Sequence, residues 1–234
     1  MMKYIKKGKK EPDSLREFRA GLKKEDYDRK DVFDELDKGD LKKSLLEEQG
    51  YICCYCMQRI DENNMKIEHW RAQSKHPKLK FDYQNLLATC KGNEGSPPSA
   101  QHCDTRKGYY EDRQETQSID YDMTINPIDK NCEQHIKYCS NGKINFDNLS
   151  PAIKKDLEEV LNLNHETLVR NRKQTYKGVI KGMTQSHKKG KQVTWQYSFI
   201  KKKIQEHESK NKEGKYMEYC KIVVYLLKKR IGER

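Results

Sequence analysis

The sequence predicts an α+β chain, mostly α-helical, in which a small cysteine-rich ββα core is flanked by N-terminal and C-terminal helices. Three observations predict it. Apolar residues recur at helical spacing near both ends, a C-x2-C pair at Cys53-Cys54-Tyr55-Cys56 opens a stretch of short extended segments, and Gly and Pro crowd the loop before the next helix. On this reading residues 1–50 form a helical arm, 51–115 the core, and 116–234 a mainly helical, basic region.

The chain from Ser14 to Gln49 reads as helical. Leu15, Phe18 and Leu22 share a face after a cap at Asp13 or Ser14. A second helix spans Asp40 to Glu48, where Leu41, Leu45 and Leu46 lie together and Gly50 is the stop. Tyr51 to Asp61 reads as short and extended, and Met65 to Trp70 as a strand. Lys91 to Gln101, holding Gly92, Gly95, Pro97 and Pro98, is a loop, and residues 103–115 begin a helix. Between 118 and 147 the pattern is irregular, with a turn at Ser140-Asn141-Gly142 leading into a strand at Lys143 to Phe146. After Ser150-Pro151 the chain reads as helical to its end, broken near Gly182 and Gly190. Its last helix carries Tyr216, Tyr219 or Cys220, Val223 and Leu227 on one side.

Charged residues make up 36% and hydrophobic residues 34%, with a formal net charge of +12. So low an apolar fraction predicts long solvated helices over a modest core. The charge is uneven: from Arg170 to Arg234 there are 19 Lys and Arg against 5 Asp and Glu. A basic half beside a near-neutral one points to a polyanion such as nucleic acid, and the plainer reading is lysines solvating ordinary helices. The longest apolar run, Ile222 to Leu227, falls far short of the ~20 residues that span a membrane. Met1 to Lys7 carries positive charge with no apolar segment behind it, so no secretory signal is expected and the expected location is cytoplasmic. In a reducing compartment, clustered cysteines among the eight present point to metal rather than to disulfides.

Cys53 and Cys56 have the spacing that lets two thiolates on one tight knuckle hold the same zinc ion. Cys90 and Cys103 complete a four-thiolate set if the Gly/Pro loop folds back, with Cys54 pointing the other way. His102 is an alternative ligand, because twelve residues separate Cys90 from Cys103. Four free core cysteines are the remaining alternative. Cys132, His135 and Cys139 are too loosely spaced for a second metal and read as free thiols. His76, His135, His165, His187 and His207 lack partners at ligand spacing.

Interleaved with the cysteines are Ile67-Glu68-His69-Trp70, Asp82-Tyr83-Gln84-Asn85-Leu86-Leu87 and His102-Cys103-Asp104-Thr105-Arg106-Lys107-Gly108. A carboxylate-His pair ends the first strand, an Asn sits in the connecting turn, and a third polar residue opens a helix directly after a cysteine. In this order the motifs resemble the HNH (ββα-metal) endonucleases. The wider layout, including Asn145-Phe146 and Leu161-Asn162-Leu163-Asn164 followed by Leu168 and Arg172, resembles the PtuB-type HNH proteins of Septu and retron-associated anti-phage systems.

Phosphodiester hydrolysis needs a base for water, a cation for the phosphorus oxygens and help for the leaving oxygen. An imidazole suits the first task, which falls to His69. The resemblance implies that Glu68 and Asp104 hold a catalytic Mg2+ or Mn2+, that Asn85 bonds backbone in the turn to fix the His69 ring, and that the four-thiolate zinc is a structural staple. Arg106 or Lys107 is the candidate contact to the scissile phosphate. The family more often has His or Asn where Asp104 stands, and Asp104 also reads as a helix cap. The resemblance further implies a bacterial defence effector that cuts DNA, held in check by a PtuA-like ABC-type ATPase. RNA such as tRNA is an alternative substrate for the same site. A zinc-containing module that binds nucleic acid without cutting it is the alternative of a different class.

Overall fold

The computed structural model describes residues 2–117, 121–185 and 196–233. Leu15, fully buried, anchors α1 (Asp13–Gly21), which starts after Pro12. Two 3-10 turns, Lys24–Asp28 and Val32–Asp34, carry the chain on to α2 (Gly39–Gln49). The stretch from Ser14 to Gln49 is thus two helices separated by tight turns. Leu41, Leu45 and Leu46 bury the inner face of α2, and Gly50 ends it at a φ of +61°. A Cβ at Gly50 would stand 2.4 Å from the Tyr216 ring, so glycine is required there for packing as well as for the left-handed turn.

The cysteine knuckle follows, with a single bridge between Ile52 and Arg59. Then come β1 (Met65–His69) and β2 (Leu86–Cys90), an antiparallel pair with Met65 opposite Cys90 and His69 opposite Leu86. Every residue of β2 is buried. Gln49 explains how: its amide takes the place of a third strand, donating to the Ala88 carbonyl at 2.7 Å and accepting from the Ala88 N–H at 2.7 Å. α3 (Cys103–Gln117) completes the ββα unit.

Downstream, β3 (Lys137–Tyr138) and β4 (Ile144–Asn145) form a two-residue hairpin about the expected turn, with Gly142 at a φ of +93°. The Ser150 hydroxyl caps α4 (Pro151–Lys155), which runs into a π-helical turn at Asp156–Val160. α5 (Glu166–Gln185), α6 (Tyr197–Glu208) and α7 (Cys220–Arg230) follow. The helical tail is therefore more broken than expected, at residues 161–165 and 209–219. Gly182 lies inside α5 and does not break it, because Met183 beside it is buried. Gly190 lies outside the described residues. α7 begins at Cys220, so Tyr216 lies before it and Tyr219 takes a left-handed conformation ahead of its first turn.

One apolar core runs from Met2 to Leu227 and encloses the cysteine knuckle. The C-terminal helices lock onto it through Tyr219 N–H to the Met57 carbonyl (3.1 Å) and Cys103 N–H to the Leu161 carbonyl (2.9 Å). Arg172, with no exposed surface, donates from Nε to the Gly142 carbonyl at 2.5 Å and from Nη2 to the Leu163 carbonyl at 3.0 Å. The chain is an α+β, mostly helical protein with a ββα core flanked by helices at both ends. No helix is long and apolar enough to cross a membrane among the described residues.

Candidate active site

The knuckle supplies Cys53 and Cys56, the end of β2 supplies Cys90, and the start of α3 supplies Cys103. Their four sulfurs lie within 4.8 Å of one another, all buried. Cys53 and Cys103 Sγ are 4.0 Å apart, and Cys56 and Cys90 Sγ 3.7 Å. Four thiolates at roughly 2.3 Å from a central ion, arranged as a tetrahedron, stand about 3.8 Å apart, so the sulfurs fit zinc. The long gap between Cys90 and Cys103 closes because Gly92, at a φ of +53°, accepts from His102 N–H at 3.0 Å. A Cβ there would meet the His102 carbonyl oxygen at 2.0 Å. His102 is not among the clustered ligands. Its Nδ1 sits 3.2 Å from Cys103 Sγ, where it can donate to a bound thiolate and orient it. Cys54 is buried outside the cluster, and the Cys132 thiol points at the Pro127 carbonyl.

β1, α3, the loop before β2 and the N-terminal arm line a cleft of about 480 Å³ that includes Glu68, His69, Asp104, Lys107 and Glu111, with Tyr27 and Lys30 from the arm. His69 Nε2 is 3.0 Å from the Lys80 carbonyl oxygen. A carbonyl only accepts, so Nε2 carries the ring proton and Nδ1 keeps its lone pair. Burial pushes the imidazole down to about 4, against the hydrogen bond to Lys80, and keeps it neutral. The edge of Phe33 packs on the ring with centroids 4.6 Å apart.

The Asn85 side chain makes no hydrogen bond to His69 among the described residues. Its amide donates to the Arg71 and Leu79 carbonyls, both at 3.1 Å, and accepts from Arg71 N–H at 2.8 Å. These bonds clamp both ends of the 71–79 loop, and the next carbonyl along is the one that holds His69.

Glu68 is 1% exposed. Its Oε1 accepts from the Tyr55 hydroxyl at 2.5 Å and from Lys107 Nζ at 2.7 Å. Lys107 also donates to the His69 carbonyl at 2.6 Å and pairs with Glu111 at 3.3 Å. Its three donors are thereby used, so it acts as counter-ion to Glu68 and has none left for a phosphate. Burial opposes its charge, but Glu68 and Glu111 raise its pKa. Arg106 faces away from the cleft, bound to the Glu159 and Pro98 carbonyls.

Asp104 lies inside α3, paired with Lys66 at 3.0 Å, and its carboxyl is engaged with Glu68 rather than with a helix cap. Burial, and then the charge of Glu68, push it up to about 8. Two adjacent carboxylates that resist sharing negative charge suit a divalent cation. They are fewer than three, so water or substrate oxygens would complete the shell, as Mg2+ usually requires. Among the described residues, the four cysteines are the one group of three or more ligand-type side chains close enough to hold a single ion.

Tyr55, Lys80, Phe33 and Glu111 escaped the sequence reading. Glu111 had a signal, at i+4 from Lys107 and i+7 from Asp104 on one helix face. The others had none. His76, which lacks partners at ligand spacing in the sequence, lies 3.0 Å from an Asp122 oxygen, and His187 lies outside the described residues.

A strand carrying Glu-His, a turn with a clamped Asn, a helix with Asp in its first turn, and four clustered cysteines stand together in the order that the HNH resemblance implies. Comparison with known proteins narrows this. The chain is 32% identical over 108 residues to the Septu protein PtuB of Bacillus thuringiensis, covering 44% of this chain and 35% of that protein. It is 31% identical over 93 residues to the "Retron Ec83 putative HNH endonuclease" of Escherichia coli, covering 35% of this chain and 36% of that protein. The similarity thus spans about a third of the length of these relatives, and it bears out the resemblance to PtuB-type HNH proteins. No family model matches the chain.

Proposed function

We propose that this chain is a metal-dependent HNH endonuclease that hydrolyses nucleic-acid phosphodiester bonds, with DNA preferred over RNA such as tRNA. It acts in the bacterial cytoplasm as the effector of an anti-phage system, beside a PtuA-like ABC-type ATPase. The observation that carries the reading is the His69 ring. Its Nε2–H is spent on the Lys80 carbonyl, leaving Nδ1 an acceptor with no hydrogen-bond partner among the described residues, at a cleft that Glu68 and Asp104 also line. The names of the two relatives, Septu PtuB and a retron HNH endonuclease, support the class and the defence setting.

His69 Nδ1 takes the proton of the attacking water. Burial and Phe33 keep the ring neutral for that task, and the Asn85 clamp holds the Lys80 carbonyl that sets its tautomer. Glu68 and Asp104 would hold Mg2+ or Mn2+, which when bound neutralises charge building on the phosphate oxygens. Tyr55 and Lys107 fix the Glu68 carboxylate in place. A zinc ion held by Cys53, Cys56, Cys90 and Cys103 would be closed to substrate and would staple the knuckle, the end of β2 and the start of α3 together.

The test compares wild-type protein with His69→Ala on plasmid DNA and total tRNA, with Mg2+, Mn2+ or EDTA, with and without the ATPase encoded nearby. Metal-dependent cleavage that disappears in the variant is expected. Equal cleavage by the variant would remove His69 as the base. Nucleic-acid binding with no cleavage under any condition would favour a non-catalytic zinc-containing module.

A further inference from the structure

Several lysines of the C-terminal region are paired. Lys154, Lys201, Lys203, Lys215, Lys221 and Lys228 each meet a carboxylate. α5 is different. Arg170, Lys173, Lys177 and Lys181 are exposed and fall at i, i+3, i+7 and i+11, within one side of a helix of 3.6 residues per turn. None of the four has an ion pair among the described residues. Glu166, in the first turn, is the helix's one acid. The opposite face is fixed, with Leu168, Arg172 and Met183 buried, so the cationic stripe is held outward by the core.

The residues exposed between these cations are Gln174 and Gly178, with Gly182 and Thr184 exposed just beyond them. A protein-binding face would be expected to carry aromatic or apolar anchors and to be poor in lysine, and this stripe has the reverse composition. Four cations spread over eleven residues cover about 16 Å at 1.5 Å per residue, the span of about five phosphates on one strand at 3.4 Å each.

We propose that the exposed face of α5, formed by Arg170, Lys173, Lys177 and Lys181, is a docking surface for the sugar-phosphate backbone of nucleic acid. This deepens the nuclease reading by giving it a substrate-holding surface away from the cleft residues. Binding there is electrostatic and indifferent to sequence, and it is read by salt rather than by base changes.

The test uses the zinc-loaded full chain in a His69→Ala background, so that binding is measured without cleavage. Fluorescence anisotropy with duplex DNA, single-stranded DNA and RNA is followed from 50 to 200 mM salt. Four phosphate contacts give a log–log salt slope of about −3.6 on duplex, a loss of about 150-fold across that range. The Lys173→Gln/Lys177→Gln/Lys181→Gln variant is expected to keep only about −0.9, a loss of about 3.5-fold. Single strands should show about 0.7 per contact instead of 0.9, which separates the sources of phosphate. The control replaces the paired Lys201, Lys203 and Lys228 with Gln and should move the slope little. Circular dichroism verifies that both variants keep their helices.

A triple variant with an unchanged slope overturns the proposal, as does a wild-type background that binds no nucleic acid. Loss of ATPase capture with an unchanged slope also overturns it and assigns the stripe to the protein partner. The nuclease reading fails separately, if the protein with His69 intact cleaves no nucleic acid under any condition.

Discussion

Lys107→Met is the sharpest perturbation of the buried charge beneath the cleft. Lys107 and Glu68 are 3% and 1% exposed and 2.7 Å apart. At that distance, and with an effective dielectric of about 20, the attraction is on the order of 6 kcal/mol. Relief of the lysine's own desolvation returns part of this, and removing one partner of a buried pair costs about 3–5 kcal/mol. For a chain of this size each kcal/mol moves Tm by about 2–4 °C, so a fall of about 6–20 °C is expected. Thermal and urea unfolding of zinc-loaded protein in buffer free of other divalent ions would measure it. The Lys107→Met/Glu68→Gln double variant keeps the acceptor for Tyr55 but removes the orphaned charge, and should recover at least half of the loss. The account of Lys107 as counter-ion is refuted if the single variant costs under about 1 kcal/mol, or if the double variant is no more stable than the single.

Asn85→Ala removes three hydrogen bonds that clamp the loop carrying the Lys80 carbonyl; cleavage should fall about 10–100-fold, the scale of outer-sphere support, in kinetics at saturating metal. Chelating the zinc, or Cys56→Ser, should unfold the ββα unit, because structural zinc contributes on the order of 10 kcal/mol; loss of cooperative melting by circular dichroism checks it. Gly92→Ala should release zinc more readily, since its Cβ would collide with the His102 carbonyl at 2.0 Å; a chromophoric chelator reads the release rate. Asp104 is raised to about 8 in the fold and lies near 3.8 when unfolded, so the folded state holds the extra proton between them. Stability without Mg2+ should therefore fall as pH rises from 6.5 to 8, by on the order of 1 kcal/mol, and Asp104→Asn should flatten that slope in pH-dependent melts.

What was legible in the sequence was local. Cys53 and Cys56 declare a knuckle by spacing alone, and Glu68-His69, Asn85 and Asp104 fall in the order that the unit requires. The hydrophobic faces of α1 and α2 and the stop at Gly50 follow from helical periodicity and the conformational freedom of glycine. What stayed hidden depends on burial or on distance along the chain. The sequence offers Arg106 or Lys107 as a phosphate contact; only packing shows that the Lys107 donors are taken by Glu68, the His69 carbonyl and Glu111. Lys80 looks like any lysine in Lys78-Leu79-Lys80. Its ammonium nevertheless donates to the Tyr27 and Arg29 carbonyls at 2.7 and 2.5 Å, contacts that no periodicity encodes. The sequence predicts a break near Gly182, yet α5 runs through it: a glycine costs a helix only about 1 kcal/mol, and Met183 beside it is buried.

Lys80 joins two parts of the molecule. Its carbonyl holds His69, its side chain holds the N-terminal arm, and Phe33 of that arm packs on the same imidazole. The motif is therefore not portable. Residues 51–115 transplanted onto another scaffold would bring the histidine, the asparagine and both carboxylates. They would leave behind one wall of the cage that sets the ring's tautomer and keeps it dry. A graft that carried the arm from Lys24 onward should hold its histidine as the parent does; one that began at Tyr51 would carry the same letters with a looser base.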